Sequence, residues 1–190
     1  MNDIFNPPLP ETEFTTTYWD GIVGSADSLV LAQAAAQAEG PLLLICDNNE
    51  TVERCLREIA YFNADIGDTG VYVLPDWETL PYDSFSPHQD IISDRLATLF
   101  NLPKLERGVV VTSITSLMHQ LPPRQYISAN SLDLAVGQSV SIAEMRAQML
   151  LAGYQVVEAV MEHGEFAVRG SIIDIFPMGT ELPLRIDLFD

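Results

Sequence analysis

Residues 161–190 read MEHGEFAVRGSIIDIFPMGTELPLRIDLFD. Apolar and polar positions alternate through Phe166, Val168, Ile172, Asp174 and Phe176, and again through Leu184, Ile186 and Leu188. That period of two belongs to strands covered on one face. Gly170, the run from Pro177 to Gly179, and Pro183 mark turns, so the segment reads as short antiparallel strands. Working backwards, Ser141 and Glu144 form a capping box, Ile142, Met145 and Met149 stripe a helix, and Gly153 stops it. Tyr126–Val136 is expected as a strand and Tyr154–Val160 as extended chain. Residues 123–190 are therefore expected to be a small α+β domain, one helix against a mostly antiparallel sheet.

Upstream the period changes. Pro41–Cys46 and Gly108–Ser113 are continuous apolar runs of the kind buried on both faces of a parallel sheet, and Val71–Leu74 follows the break at Gly70. Between them Val52, Cys55, Leu56 and Ile59 stripe one side of a helix reaching about Phe62, capped by Asp47, Asn48 and Asn49. Ser86, Pro87 and Gln89 look like the N-cap, N1 and N3 of another helix, continuing through Ile92, Leu96 and Leu99. A short helix is expected from Thr115 to Gln120. Strands alternating with amphipathic helices predict a doubly wound α/β domain over residues 18–122, ending at Pro122-Pro123. Pro7, Pro8 and Pro10 make residues 1–17 an extended arm.

Gly21-Ile22-Val23-Gly24-Ser25-Ala26-Asp27-Ser28 has the length and opening glycine of a phosphate-binding loop, and an Ala-rich helix follows it. Ala26 stands where a glycine lets the backbone approach phosphate, and Asp27 stands where a lysine would attract it. At an effective dielectric of ~20, unit charges about 4 Å apart interact by roughly 4 kcal/mol, so the reversed sign removes useful nucleotide affinity. The expectation is a degenerate P-loop NTPase-like domain that keeps the fold, binds no cofactor and has no catalytic residues.

Composition narrows the function classes. With 27 acidic against nine basic residues, a net charge of −18, the chain lacks the cations that drive nucleic-acid affinity. An apolar content of 47% suits a folded chain, no run approaches the ~20 apolar residues of a membrane span, and the first residues carry no secretory pattern. A cytoplasmic location is expected. Cys46 and Cys55 are read as buried thiols, too few for a disulfide framework. Asp76, Glu78, Asp83, His88 and Asp90 lack the spacing of metal-ligand motifs, so no metal is expected. Trp77 and Tyr82 are read as anchors pinning that loop, and His163, beside Glu162 and Glu165, as structural.

Arg169 before the Gly170 turn and Arg185 in the last strand are the odd members of the terminal strands. If the apolar residues face the helix, both project from the other side with Glu165, with Phe189 close by, a composition common at interface hot spots. The plain alternative is surface pairing with Glu162, Glu165 or Asp187, which contributes little.

The pattern Glu-x-x-x-Arg-Gly-x-x-x-Asp-x-Phe-Pro, then Arg-x-Asp-Leu-Phe-Asp, resembles the damage-handover domain of the UvrB family. Asp76-Trp77-Glu78-Thr79-Leu80-Pro81-Tyr82-Asp83-Ser84-Phe85-Ser86-Pro87-His88-Gln89-Asp90 is closer still to the N-terminal UvrB-like module of the bacterial transcription-repair coupling factors. The resemblance runs from roughly Gly21 to the end. It implies a non-catalytic adaptor that binds UvrA through Arg169, Arg185 and Phe189 and recruits nucleotide excision repair to stalled RNA polymerase. It also implies that RNA polymerase and DNA are contacted, and ATP-driven translocation performed, by regions beyond this chain, and that a later segment completes the α/β domain. The competing reading, an active UvrB-type ATP-dependent helicase subunit, requires a lysine where the sequence has Asp27.

Overall fold

The structure, a computed structural model, describes residues 3–12, 14–66, 70–80, 82–132 and 134–188. Its elements run α1 (Ala26–Gln37), β1 (Leu42–Cys46), α2 (Asn49–Ile66), β2 (Val71–Leu74), α3 (Gln89–Asn101), β3 (Val109–Ser113), α4 (Ile114–Leu117), α5 (Arg124–Ala129), α6 (Ile142–Leu151), β4 (Gln155–Val156), β5 (Glu165–Arg169), β6 (Ile172–Ile175) and β7 (Leu184–Asp187). They fall into two compact units, Met1–Asp76 with Leu102–Gln120 and Trp77–Asn101 with Leu121–Asp190. The chain is thus mixed α/β, with one parallel and one mixed sheet.

In the first unit three parallel strands lie in the order β1-β3-β2. All five residues of the central strand β3 are buried, which is why Val109–Ser113 has no polar alternation. Leu42, Leu44, Cys46, Val71, Val73, Val109 and Val111 share one core with Ala32 and Ala35 of α1 and Val52, Cys55 and Ile59 of α2. Register puts Leu43 and Ile45 on the opposite face, where they remain 56% and 49% exposed. Asn48 caps α2 by accepting from Thr51 N at 2.8 Å, and the helix continues to Ile66, past the expected end near Phe62. Gly108 (φ 142) is required where the chain crosses Gly70, because a Cβ there would lie 2.8 Å from the Gly70 carbonyl oxygen.

In the second unit the order is β4-β5-β6-β7, parallel for the first pair and antiparallel for the others. Gly170 (φ 63) takes the first position of the two-residue turn between β5 and β6, the place of glycine in a type II′ hairpin. Helix α6 lies on one face, packing Met145 and Met149 against Phe166, Ile173 and Ile175. Ser141 Oγ accepts from Glu144 N, and Gly153 (φ 90) follows the end of the helix. Helix α3, expected in the α/β domain, clusters with this second unit. Gly179 N donates to Ser93 Oγ at 2.8 Å, and a Cβ on Gly179 would meet Ala97 Cβ at 3.3 Å.

Three local expectations give way. Among the described residues of Tyr126–Val136 there is no strand, because Pro123 N-caps α5 and its carbonyl accepts from Tyr126 N and Ile127 N. Ile127 is buried there, whereas Leu132 and Val136 are exposed, so the alternation has no sheet to serve. Helix α3 starts at Gln89, not near Ser86; His88 Nδ1 accepts from Asp90 N at 3.3 Å and its carbonyl from Ile92 N. The helix expected from Thr115 to Gln120 is the single turn Ile114–Leu117.

Candidate functional site

Because strand neighbours in register point to the same side, the second sheet sorts its residues into two faces. Phe166, Val168, Ile173, Ile175 and Ile186 face α6. Glu165, Ala167, Arg169, Ile172, Asp174, Arg185 and Asp187 share the other face. Arg169 and Arg185 thus stand together with Glu165 on the side away from α6, as the alternation predicted, and both are exposed. Phe189 lies outside the described residues.

Of the three expected partners, Glu162, Glu165 and Asp187, only Asp187 acts on Arg185, through its charge, and the main partner is Asp174. Arg185 Nε donates to Asp174 Oδ1 at 2.6 Å and Nη2 to Asp174 Oδ2 at 2.9 Å, a two-pronged pair across β6 and β7. The Arg185 hydrogen bond, aided by the charges of Arg185 and Arg169, holds the Asp174 carboxyl below its usual range. Arg169 Nη2 donates to the Glu158 carbonyl. Glu165 turns to its own loop, accepting from Met161 N at 2.8 Å and Glu162 N at 2.9 Å, which lowers its pKa.

His163 is well fastened. Its Nε2 donates to the Thr180 carbonyl at 2.8 Å, its Nδ1 lies 2.9 Å from Asp90 Oδ1, and its ring packs on Phe176 with centroids 4.0 Å apart. Among the loop aromatics, Trp77 does anchor, lying 4.2 Å beneath the buried Arg95 guanidinium. Tyr82 does not, being fully exposed, because it occupies a left-handed position (φ 81) at the apex of the turn closed by Asp83 N donating to Leu80 O.

At the Gly21–Ser28 segment the geometry is saturated by side chains. Arg54 forks onto Asp27, with Nη1–Oδ1 at 3.0 Å and Nη2–Oδ2 at 2.8 Å, and also donates to Glu58 at 2.7 Å. Asp27 Oδ1 accepts from Ser28 N at 2.6 Å, and Glu58 accepts from Ser25 and Ser28 hydroxyls at 2.8 and 2.7 Å. Arg54 and the serines keep both carboxyls below their ordinary values. The cluster thus sets two carboxylates around one guanidinium. Burial, then the neighbouring Cys55, push the Cys46 thiol up to about 11, so Cys46 is a poor nucleophile; both cysteines are free and buried. Among the described residues no group of three His, Cys, Asp or Glu could hold a metal ion, and no helix is long and apolar enough to cross a membrane.

Sequence reasoning found the two arginines but missed Asp174 as their shared neighbour. The signal was present: a two-residue turn at Gly170-Ser171 fixes the register that sets Asp174 opposite Ala167, and therefore diagonal to Arg169. Arg54 and Glu58 were also missed; their i, i+4 spacing is legible, but their meeting with Asp27 is a tertiary fact.

Residues 132–190, which carry this face, match the UvrB interaction domain. The chain is 45% identical over 169 residues to the transcription-repair-coupling factor of Escherichia coli strain K12, covering 89% of this chain and 14% of that protein. It is 38% identical over 186 residues to that of Haemophilus influenzae, covering 98% and 16%, and 33% identical over 177 residues to that of Mycobacterium tuberculosis, covering 88% and 14%. The chain belongs to the transcription-repair coupling factor family, as an N-terminal module. It spans about one-seventh of the length of the relatives it matches.

Proposed function

We propose that this chain is a non-catalytic adaptor that binds UvrA through the face carrying Arg169 and Arg185, with Phe189 as a third contact residue. Through that contact it recruits nucleotide excision repair to stalled RNA polymerase. Contacts with RNA polymerase and DNA, and any ATP-driven movement, belong to parts of the family outside this chain. The observation that supports the reading is the placement of two exposed guanidiniums on the side of a sheet away from α6, inside the segment that matches the UvrB interaction domain. Arginine in a polar sheet face suits recognition of carboxylates on a second protein.

The Gly21–Ser28 loop is, in this reading, a vestigial phosphate loop whose ligand seat is filled from within by Asp27, and the α/β unit serves as a scaffold. An active UvrB-type helicase would need that seat open to phosphate.

The test is titration of the chain into purified UvrA. Arg169→Ala and Arg185→Glu should each weaken binding by roughly tenfold or more, as expected when a hot-spot arginine is lost, with an unchanged melting temperature. Binding left intact in both variants refutes the assignment; loss of folding along with binding shows the arginines to be structural.

A further inference from the structure

Arg185 meets Asp174 through its Nε and Nη2 edge. A guanidinium offers five N–H groups in a fixed plane, so this side-on contact uses two of them and leaves the end-on edge of Nη1 and Nη2 clear of Asp174 on a side chain that is largely exposed. The Asp174 side chain is only 18% exposed, whereas that of Arg185 is 63% exposed. The acid is therefore seated in the sheet and the base is displayed.

Arg169 lies on the same face one strand further on, its Cα paired with Ile172 while Asp174 pairs with Ala167 and Arg185. Its charge contributes to lowering the Asp174 pKa. The three side chains form a ladder of cation, anion and cation across β5, β6 and β7. With strands ~4.8 Å apart, the two guanidiniums stem from backbones separated by about 10 Å, close enough for repulsion to matter in a partly desolvated contact. Asp174 stands between the two strands that carry them, offsets that repulsion and ties Arg185 by two hydrogen bonds.

We propose that Asp174 is a positioning residue for partner recognition: it fixes Arg185 with its end-on fork clear of the ion pair, so that the face reads two separated carboxylates on an acidic protein surface. The inference rests on the reading of this face as the UvrA-binding surface and deepens it. A long side chain immobilised before binding loses less freedom on docking, so the pair raises affinity without Asp174 touching the partner. The opposite role, an internal competitor that the partner must displace, fits less well, because the fork that would take a partner carboxylate bidentately is not the edge Asp174 occupies.

Two measurements test this. In the first, Asp174→Asn, Asp174→Glu, Arg185→Ala and the Asp174→Asn/Arg185→Ala double variant are titrated into UvrA. Asp174→Asn should weaken binding about threefold to tenfold, Asp174→Glu should recover part of it, and the loss should vanish in the Arg185→Ala background. Unchanged or tighter binding by Asp174→Asn overturns the proposal, as does an equal loss with and without Arg185. In the second, the Arg185 Nε–H resonance of the free chain is followed by NMR; it should be sharp and slowly exchanging in the wild type and broadened in Asp174→Asn. A resonance indifferent to that substitution also overturns the proposal. If the resonance responds but Arg185→Ala binds UvrA normally, the reading of the face as the UvrA surface fails and recognition through Asp174 falls with it, although the ion pair stands.

Discussion

Asp27 shows how one side chain can decide what a loop is for. Its carboxylate accepts from Arg54 twice and from the backbone of Ser28, so the charge is met locally. A carboxyl whose folded pKa lies below its unfolded value adds stability above the ordinary carboxylate range and loses it as pH falls through the folded value. Asp27 and Glu58 both fall in that class. Arg54→Ala is expected to cost about 1 kcal/mol or less at neutral pH, because the Arg54 and Asp27 side chains are 36% and 41% exposed and solvent screens the pair. Melting curves should show a drop of roughly 2–4 °C at neutral pH. The gap between variant and wild type should shrink below about pH 4 as Asp27 takes up a proton; a gap independent of pH would contradict the lowered pKa. The sequence disclosed that Asp27 is the wrong residue for phosphate. It did not disclose the counter-ion, because Arg54 is brought to Asp27 by the packing of α1 on α2 and no local spacing encodes that. His163 was likewise readable as structural, yet its partners Asp90 and Thr180 stand far away in the chain.

At the scale of elements, strands with strong patterns were legible: β1, β2 and β3 fall within the apolar runs, and β5, β6 and β7 within the alternating ones. Caps were legible where a side chain commits to one backbone donor, as Asn48 does to Thr51 N and Ser141 to Glu144 N. Asn48→Ala should cost about 1 kcal/mol, a fall of roughly 2–4 °C in melting temperature, while Asn48→Asp or Asn48→Ser stays close to wild type. An unaffected Asn48→Ala would mean that α2 is held by its packing alone. Elements failed to show where tertiary context outweighs pattern. Tyr126–Val136 alternates like a strand, but Pro123 starts a helix and Leu132 and Val136 stay exposed. Helix α3 was recognised as a helix, though not as part of the second unit. The contacts that commit it there, Ser93 Oγ to Gly179 and Asp90 to His163, join segments more than seventy residues apart.

Over the whole molecule 27 acidic residues outnumber nine basic ones, a net charge of −18, and such self-repulsion disfavours the compact state. Added salt shortens the Debye length from about 30 Å at 0.01 M to about 8 Å at 0.15 M. The melting temperature should therefore rise between those conditions by a few degrees, measured by scanning calorimetry, and a fall would show that exposed pairs such as Arg57–Glu53 outweigh the general repulsion. The first unit has one further property. Among the described residues β1 is an outer strand of its sheet with an open row of amide and carbonyl groups, and beside it stand Leu43 and Ile45 with half their surface in water. An outer strand bare on one flank and oily on one face is a template for any other extended segment. Concentrated preparations of the chain should gather into ordered clusters through that flank, and a lysine placed at Leu43 should keep them dispersed.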